Sequence, residues 1–171
     1  DWSSDVCSSD LTISSQPVAA ISGAASGIGL ALATLYARRG VRVIAGYYPD
    51  DPHDPAAAAA QVEAAGGEAL WLPLDVADTA SVDAFISQGM NHFGRLDYVI
   101  ANAGILRCSP IEEMSDERWN AMLNVDLTGV MRCFRAAARH LGDGASLVAI
   151  SSIAGGVYGW QEHAHYAAAK A

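Results

Sequence analysis

The 171-residue sequence predicts an α/β fold, a single domain built on one doubly wound, parallel β-sheet. Three observations carry the prediction. From Val18 onward, short apolar runs alternate with longer stretches of helical period. The runs are apolar at successive positions rather than alternate ones, as strands covered on both faces require. Between runs there is chain enough for a crossover helix, which parallel strands need.

The elements follow in order. Residues 18–22, "VAAIS", read as the first buried strand, and 28–39 as a helix stopped by Gly40. "VRVIAG" (41–46) is a second strand. A loop rich in Pro and Asp, "YYPDDPHDP", leads into a helix over 56–65, where a run of alanines supplies the strongest helix former. "ALWLPLD" (69–75) is a third strand, 81–93 a helix, "YVIAN" (98–102) a fourth strand, 116–140 one long helix and "SLVAISS" (146–152) a fifth strand. Neither an internal domain boundary nor a repeat is visible.

Residues 1–11, "DWSSDVCSSDL", do not fit this pattern. They have no period and match the translation of a common sequencing-adapter stretch, so they are set apart from the domain, residues 12–171. Trp2 and Cys7 are expected to carry no function. A net charge of −9, with only 10 Lys and Arg spread along the chain, speaks against a nucleic-acid partner. The three cysteines show no paired or CxxC spacing, so neither a disulfide framework nor a zinc site is expected, and a reducing cytoplasm is the expected setting. No apolar run approaches the roughly 18 residues of a membrane helix, and the start lacks a basic region followed by an apolar one. A protein neither secreted nor membrane-bound is expected.

"SGAASGIG" (22–29) lies where the first strand turns into the first helix. Gly23, Gly27 and Gly29 let the backbone turn tightly, approach a pyrophosphate and pack helix on strand, while Ser26 and Ile28 flank the helix start, whose free N–H groups suit a phosphate. The spacing is G-x-x-x-G-x-G and resembles that of the short-chain dehydrogenase/reductase family. Other motifs resemble the family's in the family's order. "LDV" (74–76) offers Asp75 and Val76 where the family contacts adenine; "ANAG" (101–104) resembles N-N-A-G, with Asn102, Ala103 and Gly104 in place and Ala101 for the first Asn. "ISSIAG" (150–155) and "YAAAK" (166–170) complete the set, and the resemblance spans Val18 to Ala171. It implies a Rossmann-type sheet, NAD or NADP as cofactor, and hydride transfer between nicotinamide and a carbonyl or secondary alcohol. The pattern also resembles the family's 3-oxoacyl-thioester reductases.

Residues four apart on a helix share a face, so Tyr166 and Lys170 point into one site. A phenol ordinarily titrates near pH 10. A neighbouring ammonium favours the phenolate, and a lowering of three units takes about 4 kcal/mol, which a desolvated cation and the positive nicotinamide can supply. Tyr166 is then the general acid in reduction and the general base in oxidation. The resemblance adds that Lys170 holds the nicotinamide ribose and that Ser152 bonds the substrate oxygen, with Ser151 still in the strand. Residues 155–165 form a loop at the substrate mouth, where Tyr158 and Trp160 either line an apolar pocket or pack on the surface. His163 and His165 have no third ligand beside them, so no metal is expected.

In the long helix, Trp119, Met122, Leu123, Leu127, Val130, Met131 and Phe134 make an apolar stripe that contains Asp126. A carboxylate facing inward is costly unless bonded or functional. By resemblance Asp126 stands where the family carries the Asn of V-N-L-x-G, whose backbone carbonyl holds a water in the proton relay. That makes Asp126 a fourth catalytic residue, and Asn124, off the stripe, is expected to be exposed.

The sequence leaves NAD or NADP open. Tyr47 occupies the end of the second strand, where an acid would bond the ribose 2′-hydroxyl, and Asp50 and Asp51 are read as facing solvent. The alternative function is a nucleotide-binding sensor or scaffold without catalysis, which has no need of Ser152, Tyr166 and Lys170 together. The resemblance further implies strands and a substrate lid after Ala171 and a homo-oligomer, tetramer or dimer. The chain as written is accordingly expected to be unstable or inactive.

Overall fold

The structure, a computed structural model, describes residues 16–171, so the expectations for Trp2, Cys7 and residues 1–11 lie outside the described residues. Strands β1 (Val18–Ile21), β2 (Arg42–Tyr47), β3 (Ala69–Pro73), β4 (Tyr98–Ala101) and β5 (Ser146–Ala149) form one parallel sheet in the order β3-β2-β1-β4-β5. Successive strand residues serve opposite faces. Val18 and Ala20 join Ile44, Val99 and Ala101 in one core, while Ala19 and Ile21 join Val43, Ala45 and Ile100 in the other. Helices α1 (Gly27–Arg38) and α2 (Pro55–Ala64) pack against each other on the second face; α3 (Thr79–Phe93), α4 (Asp116–Leu123) and α5 (Gly129–Ala137) follow in the crossovers. A last helix, α6 (Ala164–Lys170), carries the Tyr-Lys motif.

The chain leaves the end of β1 in one direction to reach β2, while β4 lies on the other side of β1. Such a switch point opens a crevice at the carboxyl ends of the strands.

Three expectations change. The helix over 116–140 is interrupted by a π turn, Asn124–Thr128, and ends at Ala137. A π turn adds one residue to the helical repeat, which rotates everything after it. The inward face therefore runs through Met122, Asp126, Gly129, Cys133 and Ala137, leaving Leu127 and Met131 of the expected stripe 51% and 45% exposed. Asn124 is half-buried rather than exposed, its carboxamide oxygen and backbone carbonyl accepting from Arg132 at 2.8 and 3.1 Å. Finally, β5 ends at Ala149, placing Ser151 beyond the strand, and its four residues, at the edge of the sheet, are exposed.

Candidate active site

A cavity of about 700 Å³ opens at the switch point. The glycine loop forms one wall. Gly23 has φ +66°, a left-handed backbone suited to glycine, and a Cβ there would come within 3.0 Å of Ala103 Cα. A Cβ on Gly29 would stand 2.0 Å from the Gly23 carbonyl oxygen, so α1 can lie this close to the loop only without a side chain. A Cβ on Gly27, by contrast, would meet nothing within 4 Å.

The start of α1 differs from those of α2 and α3. Asp54 and Asp78 cap α2 and α3 through side-chain bonds to backbone N–H groups, whereas Ser26, extended at the start of α1, makes none. The first-turn N–H groups of α1 thus stay available beside the cavity, the feature that suits a pyrophosphate. Together with the glycine cradle, this fits a dinucleotide.

Asn102 ties the far wall to the loop. Its Nδ2 donates to the carbonyls of Ser22 and Gly23 at 3.0 and 3.1 Å, while its own N–H and that of Ala103 donate to Ser22 Oγ at 3.0 and 2.9 Å. Ala103 and Gly104 continue along the wall. At the other end lie Asp75, Val76 and Tyr47; Asp75 N–H donates to Ser81 Oγ at 2.9 Å and its carboxylate accepts from Ala77 N–H at 2.8 Å. Asp51, expected in solvent, lines the cavity beside Tyr47 and Tyr48, whereas Asp50 does not. The backbone N–H of His53, assisted by its ring, holds the Asp51 carboxyl below the usual carboxylate range.

Ser152, Tyr166, Lys170 and Asp126 line the same cavity. Lys170 Nζ lies 5.9 Å from the Tyr166 ring centre, donates to the Ile150 carbonyl at 3.1 Å and sits 3.3 Å from Asp126 Oδ2. Asp126 Oδ1 accepts from Ile105 N–H at 2.8 Å, which fastens the π turn to the β4–α4 loop. Burial pushes the Asp126 carboxyl up, opposed by the Ile105 hydrogen bond and the Lys170 charge. The two serines part company. Ser151 Oγ donates to the Lys170 carbonyl, which occupies its proton, while Ser152 Oγ accepts from Ala154 N–H at 3.2 Å and keeps its proton free.

Of the catalytic and cofactor residues singled out from sequence, Gly29 is off the cavity wall and packs behind the loop, while the others line it. Tyr158 and Trp160 do not line the cavity either. Tyr158 is exposed, and Trp160 stacks on His163 at 4.3 Å and meets Tyr166 edge-on at 6.4 Å. His163 donates from Nδ1 to the Gln161 carbonyl, and His165 is buried, with burial pushing its imidazole down. Among the described residues no group of three His, Cys, Asp or Glu is placed to hold a metal, and no helix is long and apolar enough to cross a membrane. Sequence reasoning gave no site role to Ser22, Asp51, Ser151 or Arg107, which lie on or beneath the wall. The first serine of the glycine motif was a signal for Ser22 and the paired serines of "ISSIAG" one for Ser151; Asp51 and Arg107 come from loops that carry none.

Comparison with known proteins gives a match of residues 17–171 to the short chain dehydrogenase family. The chain belongs to this family. A cis-4-hydroxycyclohexanecarboxylate dehydrogenase of Sinomonas cyclohexanicum is 42% identical over 158 residues, covering 90% of this chain and 61% of the relative. A 3-oxoacyl-[acyl-carrier-protein] reductase of Synechocystis is 34% identical over 163 residues, covering 94% and 65%. A solved short-chain dehydrogenase/reductase from Serratia marcescens superposes with TM-score 0.84 at 33% identity, over 90% of this chain and 62% of that one. The short-chain dehydrogenase chain thus spans about three-fifths of the length of these relatives.

Proposed function

We propose that the protein carrying this chain is a pyridine-nucleotide-dependent oxidoreductase that interconverts a carbonyl and a secondary alcohol. The observation that carries the reading is that Ser152, Tyr166 and Lys170 share one cavity with the glycine loop and the uncapped start of α1. Gly23, Gly27 and the α1 amides hold the pyrophosphate, Asp75 and Val76 face the adenine end, and Lys170 holds the nicotinamide ribose. When bound, the nicotinamide supplies or accepts the hydride. Tyr166 Oη–H gives its proton to the carbonyl oxygen in reduction and takes it back in oxidation. Ser152 Oγ–H donates to that same oxygen as charge grows on it. Asp126 fixes Lys170 through the ionic contact.

NAD is the nucleotide the wall favours. Asp51 presents a carboxylate beside Tyr47 and Tyr48, and the cationic residues on the wall, Arg107 and Lys170, belong to neither β2 nor the loop after it. A ribose 2′-phosphate would meet a like charge there. The reading includes a cytoplasmic setting and a homo-oligomer. The two named relatives act on different substrates, so the substrate class remains a small carbonyl or secondary alcohol. The test is oxidation of NADH and NADPH by the full-length protein with a panel of ketones and 3-oxoacyl thioesters. Turnover preferring NADH is expected, with preference moving to NADPH in Asp51→Arg. Failure to bind either nucleotide would sink the reading and leave no support for catalysis.

A further inference from the structure

Lys170 and Asp126 meet behind Tyr166 with 7% and 0% of their side-chain surface left to water. The contact brings together residues from α6 and from the π turn, and Ile105 N–H fixes the carboxylate from a third segment. Asp126 Oδ2 has no aligned hydrogen-bond donor, so its compensation is the Lys170 charge 3.3 Å away. A buried pair of this kind shares its protons: ammonium with carboxylate and amine with carboxyl both carry zero net charge. An asparagine in the same place would leave the Lys170 ammonium with neutral acceptors alone, the Ile150 carbonyl at 3.1 Å holding it in place.

We propose that Asp126 cancels the charge Lys170 would otherwise present to Tyr166, so that the phenol holds its proton to higher pH and alcohol oxidation needs a more alkaline medium. The inference rests on reading Tyr166 as the proton donor and names Asp126 as the positioning residue that sets its working pH. Other polar and charged groups lie around Tyr166 or on the wall of the same cavity. His163 lies 6.4 Å from its ring, with Nε2 3.4 Å from Cys108 Sγ; His165 sits next to it on α6; Arg107 and Asp75 stand on the cavity wall. These are the same in the protein and its variants, so they drop out of a difference measurement.

The experiment is an ultraviolet titration of the Tyr166 phenolate in the full-length protein free of nucleotide, isolated by subtracting Tyr166→Phe. In Asp126→Asn, which keeps an oxygen for Ile105 N–H, the phenolate should appear about one pH unit lower than in the wild type, the effect of losing one charge at this range in a partly screened interior. The alkaline limb of alcohol oxidation should move by the same amount. Lys170→Met is the second arm. With the ammonium gone, the buried carboxyl takes up a proton, the pair stays neutral, and the phenolate should move by less than about half a unit. The titration needs no turnover, so absence of hydride transfer would count against the function alone. Coincident curves for wild type and Asp126→Asn, or a rise of about one unit or more in Lys170→Met, would overturn the proposal.

Discussion

Replacing Gly29 by alanine puts a methyl group where the backbone of the glycine loop already stands. The new Cβ would lie 2.0 Å from the Gly23 carbonyl oxygen, 2.8 Å from the Gly23 carbonyl carbon and 2.7 Å from Asn102 Nδ2. Comfortable contact is about 3.5 Å, so α1 or the loop must move by more than ~1 Å. The loop is held by the two Asn102 side-chain bonds and by Ser22, so the motion loosens the wall between β1 and β4. Overpacking of this kind costs about 1–3 kcal/mol, and the better helix propensity of alanine returns at most about 1 kcal/mol. Gly29→Ala is therefore expected to lose about 1–2 kcal/mol in urea unfolding and to weaken NADH binding, read by fluorescence, at least about tenfold. Gly27→Ala separates backbone strain from overpacking. Its Cβ meets open space, so its stability loss is confined to the left-handed backbone at φ +52°, about 1–2 kcal/mol, although its methyl group intrudes on the cavity. Wild-type nucleotide affinity in Gly29→Ala would refute the packing argument.

Two further outcomes test other parts of the fold. The Arg95 guanidinium, 2.6 Å away, holds the Asp97 carboxyl below its usual range against the cost of burial, with the Val18 N–H bond assisting. A carboxyl with a lowered folded-state pKa stabilises the fold above its unfolded value near ~3.9 and loses that contribution as pH falls through the folded value. Asp97→Asn should thus be less stable than wild type at neutral pH and show a shallower loss below about pH 4; parallel pH–stability curves would contradict this. Burial pushes the Cys133 thiol up to about 11, whereas Cys108 is exposed. Alkylation of the folded protein near ~pH 8, mapped by peptide mass, should modify Cys108 and spare Cys133.

Local chemistry made the first two-thirds of the fold readable. A run such as "VAAI" is buried on both faces wherever helices cover both sides of a sheet, and the glycines that follow it allow the left-handed turn that leads into α1. The π turn left no such mark. Leu127 and Met131 continue an i, i+3, i+4 pattern in the letters, and one extra residue per turn rotates them into solvent. Contacts distant in sequence were equally invisible. Nothing in "VDLTG" or "YAAAK" announces that Asp126 and Lys170 touch, since that follows from how α6 crosses the π turn. Asp51 reaches the cavity through the path of a Pro-rich loop, and β5 lies exposed at the edge of the sheet although its letters read as a buried strand.

The most direct measurement is single-turnover hydride transfer in the full-length protein, followed by nicotinamide absorbance with saturating nucleotide and carbonyl, for wild type and Tyr166→Phe. Both should bind nucleotide alike, and the variant should transfer hydride at least about a hundredfold more slowly, the contribution of a positioned proton donor. Equal transfer rates would contradict the assignment of Tyr166 and with it the chemistry ascribed to this cavity.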